Sequence, residues 1–316
     1  MKVEGEVPDD ANSRPHDARR VLIADDDGVI VEMLSSLVER AGATAVRAAS
    51  GQEALRRLET ESVDLLLTDV AMPGIDGFEL IQRARRRLPR IKFAMMTGHL
   101  IDAHIRPVRD CGVRIVATKP FVIGEMSRTV RHALEPREAF GLRAHLEGEA
   151  RIETVALASL RQYARIVERV ADRAGLFAVR HDQVRIVLEE LALNALYRGP
   201  RNPDGSQKYN FLADVELPEY EAPTVSHGHD HSCFGLAVRD PNGTLRAETV
   251  LERLAATVDG AAATRGRGRG LVLARGLADR LIINIDEGRR TEAVALFFFG
   301  DQPRTHKPLL INEVTG

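Results

Sequence analysis

A chain of 316 residues, 44% of them hydrophobic, has material for about two domains, each with its own core. A net charge of −2 gives no overall pull toward nucleic acid or anionic lipid, and 4% aromatics with no Trp argue against base-stacking platforms. Only Cys111 and Cys233 are present, in different predicted domains, so no disulfide framework is expected and a reducing cytoplasm fits.

No apolar run reaches the roughly 18 residues of a membrane span. Residues 1–18 are polar and acidic, without an apolar signal core, and read as a frayed tail. From Val21 short apolar strands alternate with amphipathic helices. Strands are predicted at Val21 to Ala24, Thr44 to Ala49, Val63 to Thr68, Phe93 to Thr97 and Ile115 to Thr118. The helices between them carry Ile30, Leu34 and Leu37, then Ala54 and Leu58, then 78–88, 101–110 and 121–134. Five such units over 19–135 imply a doubly wound parallel α/β sheet, whose ligands sit at the carboxyl ends of the strands.

Those ends carry charge. Asp25, Asp26 and Asp27 close the first strand, Asp69 the third, Thr97 the fourth and Lys119 the fifth. Carboxylates gathered at one edge repel each other, and a hard cation such as Mg²⁺ relieves the repulsion. A lysine and a hydroxyl beside them can bond the oxygens of a transferred phosphoryl group.

The strings VLIADDD, LLLTDVAMPGIDG, MMTG and VATKPF resemble the receiver domain of bacterial response regulators. The resemblance implies that Asp69 accepts a phosphoryl group from a sensor histidine kinase or phosphotransfer protein. Asp26 would ligate Mg²⁺ directly, Asp25 through water, and the Ala71 carbonyl would complete the shell with Asp69. Thr97 and Lys119 would contact the phosphoryl group, and Pro120 would follow a cis peptide. Val116 stands where many receivers place Tyr or Phe.

Residues 136–150 read as a helical linker, and 151–302 as a second domain. Arg151 to Ala158 suggests a strand. Leu160, Tyr163, Val167, Val170 and Ala174 form a helical stripe ended by Gly175, and a second helix over 181–197 buries Val184, Val187, Leu188 and Leu191. Glu190 and Asn194 lie one turn apart at the rim of that stripe, where an amide oxygen could serve Mg²⁺ and a carboxylate could accept a proton. A strand from Cys233 to Arg239 runs into Asp240-Pro241-Asn242-Gly243, and a mobile segment GAAATRGRGRG follows at 260–270. A helix over 271–280 and strands at 281–285 and 294–299 come next, with 303–316 as a C-terminal tail. Glycine lets a backbone approach phosphates, and amides opening a helix favour anions.

The ordered set LEELALNAL, VRDPNG, GRGLVLARGLADRL and GRRTEAV resembles the Bergerat ATP-binding fold, an α/β sandwich shared by histidine kinases, gyrase and anti-sigma serine kinases. By that resemblance Asp240 bonds the adenine amino group with Thr291 in support, Asn194 ligates Mg²⁺, and Gly243, Gly268 and Gly270 belong to the ATP-binding loops. Arg265, Arg267 or Arg269 would reach phosphates, and Glu190 matches the general base of the anti-sigma kinases. Asn242 and Thr244 occupy positions that are usually glycine, and Val272 replaces the third lid glycine. The implied output is a protein Ser/Thr kinase or an anti-sigma-type switch acting on an anti-anti-sigma or sigma factor. A non-catalytic nucleotide-binding adapter is the alternative.

Other features have blander readings. HGHDH at 227–231 could hold a transition metal, but its composition suits a turn. The run Arg85 to Arg87 is a solvated helix face, and the RGRGRG tract sits where a phosphate lid belongs, so no nucleic-acid partner is expected. His132 lies too close to the second domain to precede a histidine-kinase dimerisation hairpin, and either domain could supply a homodimer interface.

Overall fold

The computed structural model describes residues 19–99, 101–177, 179–210, 214–258, 269–300 and 307–314. The first domain alternates as expected: β1 (Arg20–Ala24), α1 (Gly28–Arg40), β2 (Thr44–Ala48), α2 (Gly51–Thr60), β3 (Leu65–Asp69) and α3 (Gly77–Arg87). It continues with β4 (Lys92–Thr97), a 3₁₀ turn (Ile101–His104), α4 (Ile105–Asp110), β5 (Ile115–Thr118) and α5 (Ile123–Leu134). The helices start where side chains satisfy their free amides. Asp27 accepts from the Val29 amide at 2.8 Å, Asp76 accepts from that of Glu79 at 2.8 Å, and Ser50 caps α2. β1, β3, β4 and β5 pair in parallel, with β2 on the outer edge. Their residues are buried on both faces, which is why they read as unbroken apolar runs.

The second domain comprises β6 (Arg151–Ala156), α6 (Leu160–Gly175), α7 (His181–Arg198), β7 (Thr224–His229), β8 (Cys233–Asp240), α8 (Ala247–Val258), α9 (Gly270–Leu277), β9 (Arg280–Asp286) and β10 (Arg290–Phe298). β6 to β10 form an antiparallel sheet in the order 9-10-8-7-6, covered on one face by α6 to α9.

A last strand, β11 (Leu309–Glu313), joins the two sheets. It pairs antiparallel with β5, Leu309 opposite Val116, and parallel with β9, Leu310 opposite Ile282. The eleven strands among the described residues thus make one sheet. The packing is shared as well. Ile105 and Val108 of α4 belong to one buried apolar cluster with Val250, Leu251 and Leu254 of α8. Burying three such aliphatic side chains stabilises by about 5–9 kcal/mol, whereas a solvent-exposed ion pair contributes about 0–1 kcal/mol. The apolar seam therefore holds the domains together. Arg114, paired with Glu248 of α8 at 2.6 Å and with Glu313 of β11, sets its register.

Three expectations are corrected here, and one element was not anticipated. The linker is not an α-helix but two 3₁₀ turns, Pro136–Ala139 and Leu142–His145, because Gly141 takes φ +94° between them. The segment 303–316 is not wholly a tail, since its Leu309–Glu313 stretch finds two strand edges that local pattern does not reveal. HGHDH is not mainly a turn: His227 and His229 lie on β7, where the His229 ring packs 4.0 Å from that of Phe177. Asp230 alone builds the turn, accepting from the Ser232 and Cys233 amides. Helix α8 had no sequence expectation at all.

Candidate functional site

Two sites stand at strand ends. In the first domain β1, β3 and β5 deliver Asp25, Asp69 and Lys119 to one edge. The Lys119 ammonium lies 2.8 Å from Asp25 Oδ2 and 2.6 Å from Asp69 Oδ1. The Ala71 amide donates to Asp69 Oδ2 at 2.8 Å, and the Asp27 amide donates to Asp25 Oδ1 at 3.0 Å. Asp25 is 1% exposed, and that burial pushes its carboxyl above the usual aspartate range even though Lys119 and the Asp27 amide pull the other way. Burial would lower the Lys119 ammonium, but its two carboxylate partners outweigh that and raise it. Asp26 is exposed beside them. Thr97 Oγ1 accepts from the His99 amide at 3.0 Å, and the Thr97 carbonyl accepts from the Lys119 amide at 2.8 Å. The Lys119–Pro120 peptide is cis. Three carboxylates and one ammonium on a rigid edge can hold a small divalent cation and neutralise an incoming phosphoryl group.

In the second domain a cavity of about 220 Å³ opens between α7, α8 and the sheet. Asp240 and Thr291 face each other in register on β8 and β10 and form part of its floor. Burial is the main reason the Asp240 carboxyl stands above its usual range. The Asn242 amide N–H and side-chain amide both donate to Asp240 Oδ1, at 2.8 and 2.6 Å. Gly199 crosses so close that a Cβ there would lie 2.6 Å from both Asp240 carboxylate oxygens, which explains a glycine at the end of α7. The buried Thr291 hydroxyl has no hydrogen-bond partner among the described residues. A buried polar atom left unpaired is costly, and one lining a cavity is a natural contact for a ligand.

At the rim Asn194 Nδ2 donates to the Glu190 carbonyl at 2.7 Å, one turn back along α7. Gly270, the first residue of α9, packs against the Glu190 carboxylate, and a Cβ there would lie 3.2 Å from Asn194 Nδ2. The structure thus brings Asn194, Asp240 and Thr291 to the lining of one cavity, with Glu190 and Gly270 packed beside Asn194 outside that lining. Gly243 is placed apart from its lining. Its φ is +61°, a Cβ would lie 2.6 Å from the Arg290 amide, and its carbonyl accepts from the Gly288 amide, so it seats the turn against the β9–β10 hairpin. Arg265, Arg267 and Gly268 lie outside the described residues.

Sequence reasoning missed Arg198, Thr249 and Arg253, which also line the cavity. Thr249 and Arg253 sit four apart on α8, a spacing that marks one helix face but has no partner motif in the chain. His132 is a core residue. Its ring lies 5.2 Å from that of His145, and burial lowers the pair to about 3 and about 4.

The chain thus carries an aspartate–lysine pocket in its first domain and a partly polar cavity in its second. A response regulator receiver domain matches residues 21–131, and a histidine kinase-like ATPase domain matches residues 154–296. The response regulator receiver protein CpdR of Brucella abortus is 33% identical over 117 residues, 37% of this chain and 97% of that protein. The alkaline phosphatase synthesis regulator PhoP of Bacillus subtilis is 32% identical over 122 residues, 38% of this chain and 50% of its own length. NtrC of Salmonella typhimurium is 27% identical over 224 residues, 68% of this chain and 45% of its own length. The chain therefore spans about half the length of these last two regulators. A solved CheY-like receiver from Methanospirillum hungatei JF-1 shares 27% identity, covering 40% of this chain and all of that one, with a TM-score of 0.37. The chain belongs to the response regulator receiver family, and a histidine kinase-like ATPase domain follows its receiver. Among the described residues no helix is long and apolar enough to cross a membrane.

Proposed function

We propose that the protein is a phosphorylation-controlled nucleotide-binding output, with a protein Ser/Thr kinase or anti-sigma-type partner switch as its activity. The observation that carries the proposal is the second cavity, where a buried carboxylate and an unpaired buried hydroxyl stand in register and Asn194, packed beside Glu190 and Gly270, also lines the wall.

In the receiver, an Asp69 carboxylate oxygen attacks the phosphorus of a phosphohistidine on a sensor histidine kinase or phosphotransfer protein. The P–O bond forms as the P–N bond breaks. Lys119 and Thr97 take up the charge on the transferred oxygens. Asp25, Asp26, Asp69 and the Ala71 carbonyl would hold Mg²⁺, which supplies further charge neutralisation. In the second domain Asp240 would accept from the adenine amino group with Thr291 beside it, Asn194 would hold the nucleotide's Mg²⁺, and the α9 amides opening at Gly270 would face phosphate. Glu190 would take the proton of a partner Ser or Thr hydroxyl as that oxygen attacks the γ-phosphorus and ADP leaves. The partner is a regulatory protein of the anti-anti-sigma or sigma class, and the setting is cytoplasmic.

The test is incubation with acetyl phosphate and, separately, with radiolabelled ATP and candidate partners. Intact mass should gain one phosphoryl group in wild type and none in Asp69→Ala. Partner labelling should fall at least ~100-fold in Glu190→Ala. Labelling unchanged by that substitution removes the kinase reading. The second reading, a non-catalytic adapter, is favoured by Asn242, whose side chain occupies Asp240 Oδ1 from a position that is usually glycine. It predicts ATP binding with no transfer to any partner.

A further inference from the structure

We propose that α8 and β11 form the joint through which the state of Asp69 and occupancy of the nucleotide cavity set one another. The inference rests on the nucleotide-binding reading above and adds the route of its regulation.

Helix α8 has two working faces. Thr249 and Arg253 line the cavity, while Glu248 reaches across to Arg114, immediately before β5 of the receiver. Val250, Leu251 and Leu254 of the same helix pack in the cluster that contains Ile105 and Val108 of α4. Helix α4 follows β4, whose last residue is Thr97, beside the acid pocket. A change of position at α4 therefore meets the cavity wall after one helix.

Strand β11 supplies a second connection, through buried polar groups. Asn312 Nδ2 donates to Asn284 Oδ1 at 2.8 Å, and Asn284 Nδ2 donates to Glu292 Oε2 at 3.1 Å. Glu292 in turn holds the Arg239 guanidinium at 3.0 Å. Glu292 and Arg239 are the chain neighbours of Thr291 and Asp240, the residues of the cavity floor. Asn284, Glu292 and Asn312 are each 5% exposed or less, so these buried bonds carry a shift of β11 to the next strand. On its other side β11 sits on β5, with Leu309 opposite Val116. The edge of β5 is thus occupied by this chain's own C-terminal strand.

Two ligands that bias the same joint change each other's affinity by the same factor. Calorimetry on the full chain measures ATP affinity with and without beryllofluoride and Mg²⁺, which form a phosphoryl mimic on Asp69, and beryllofluoride affinity with and without ATP. The two factors should be equal and fivefold or larger, and Glu248→Ala should shrink both toward one while leaving each ligand's affinity for the otherwise free protein unchanged. Hydrogen exchange read on the same protein without nucleotide should show altered protection of 247–256 and 309–313 when beryllofluoride is added. ATP binding that is indifferent to beryllofluoride, or unaltered exchange in both segments, overturns the joint. Altered exchange in a protein that binds no ATP upholds the connection to the receiver and removes the nucleotide reading instead.

Discussion

The two pockets differ in how they are closed. The receiver pocket is finished by its own groups: one lysine bridges two carboxylates, and backbone amides take the remaining oxygens. The second-domain cavity keeps a buried hydroxyl without a partner among the described residues, and Asn242 holds its carboxylate through one oxygen, Oδ1. A site that must receive a small, highly charged group can be preorganised by ion pairs. A site that must receive a base needs polar atoms kept free and desolvated until it arrives.

The largest test of this contrast is Lys119→Met. It leaves the buried Asp25 and Asp69 carboxylates uncompensated, and chemical denaturation at neutral pH should show a loss of about 3 kcal/mol. Millimolar Mg²⁺ should recover part of it. The loss should also shrink in acid, because the raised Asp25 carboxyl takes up its proton before an ordinary aspartate does. A loss that is independent of both Mg²⁺ and pH would mean that the lysine acts only by packing.

Asp240→Asn comes next and should separate binding from stability. ATP affinity should fall about 10–100-fold by calorimetry, the range of a charge-assisted hydrogen bond. The folded carboxyl of Asp240 is raised, so its favourable contribution is present below the ordinary aspartate pKa and lost as pH rises through the folded value. The variant should therefore be more stable than wild type at neutral pH and should lose that advantage as the pH falls toward the ordinary aspartate range. The smallest effect belongs to Thr291→Val, which removes the unpaired hydroxyl with little change of shape. Thermal unfolding should show a gain of about 1 kcal/mol, and ATP affinity should drop about threefold to tenfold. Unchanged affinity would make the hydroxyl a packing defect and not a contact.

The receiver was legible because its chemistry is local to strand ends: Asp25, Asp69, Thr97 and Lys119 each follow directly on an apolar run that names its strand. In the second domain Asp240, Thr291, Glu190 and Asn194 were singled out by ordered motifs; Asn194, Asp240 and Thr291 line one cavity, and Glu190 lies one turn from Asn194. Gly243 lies outside the cavity lining next to Thr244, which is in it, and in sequence a glycine required by a turn and one required by a phosphate look the same. Arg198, Thr249 and Arg253 were missed because helix-face arginines and threonines are ordinary, and only the approach of α8 to α7 gives them a cavity to line.

By itself the sequence determined the two domains, the parallel sheet of the first, and the residue types at the acid pocket and at the second-domain cavity, since periodicity and strand-end residues are encoded within a few positions of one another. Tertiary structure alone decided that the domains share one sheet and one apolar seam. That outcome depends on Leu309–Glu313 finding the free edges of β5 and β9, and on α4 meeting α8. Edge pairing and helix packing are properties of surfaces that exist only after each half has folded, so no local pattern announces them.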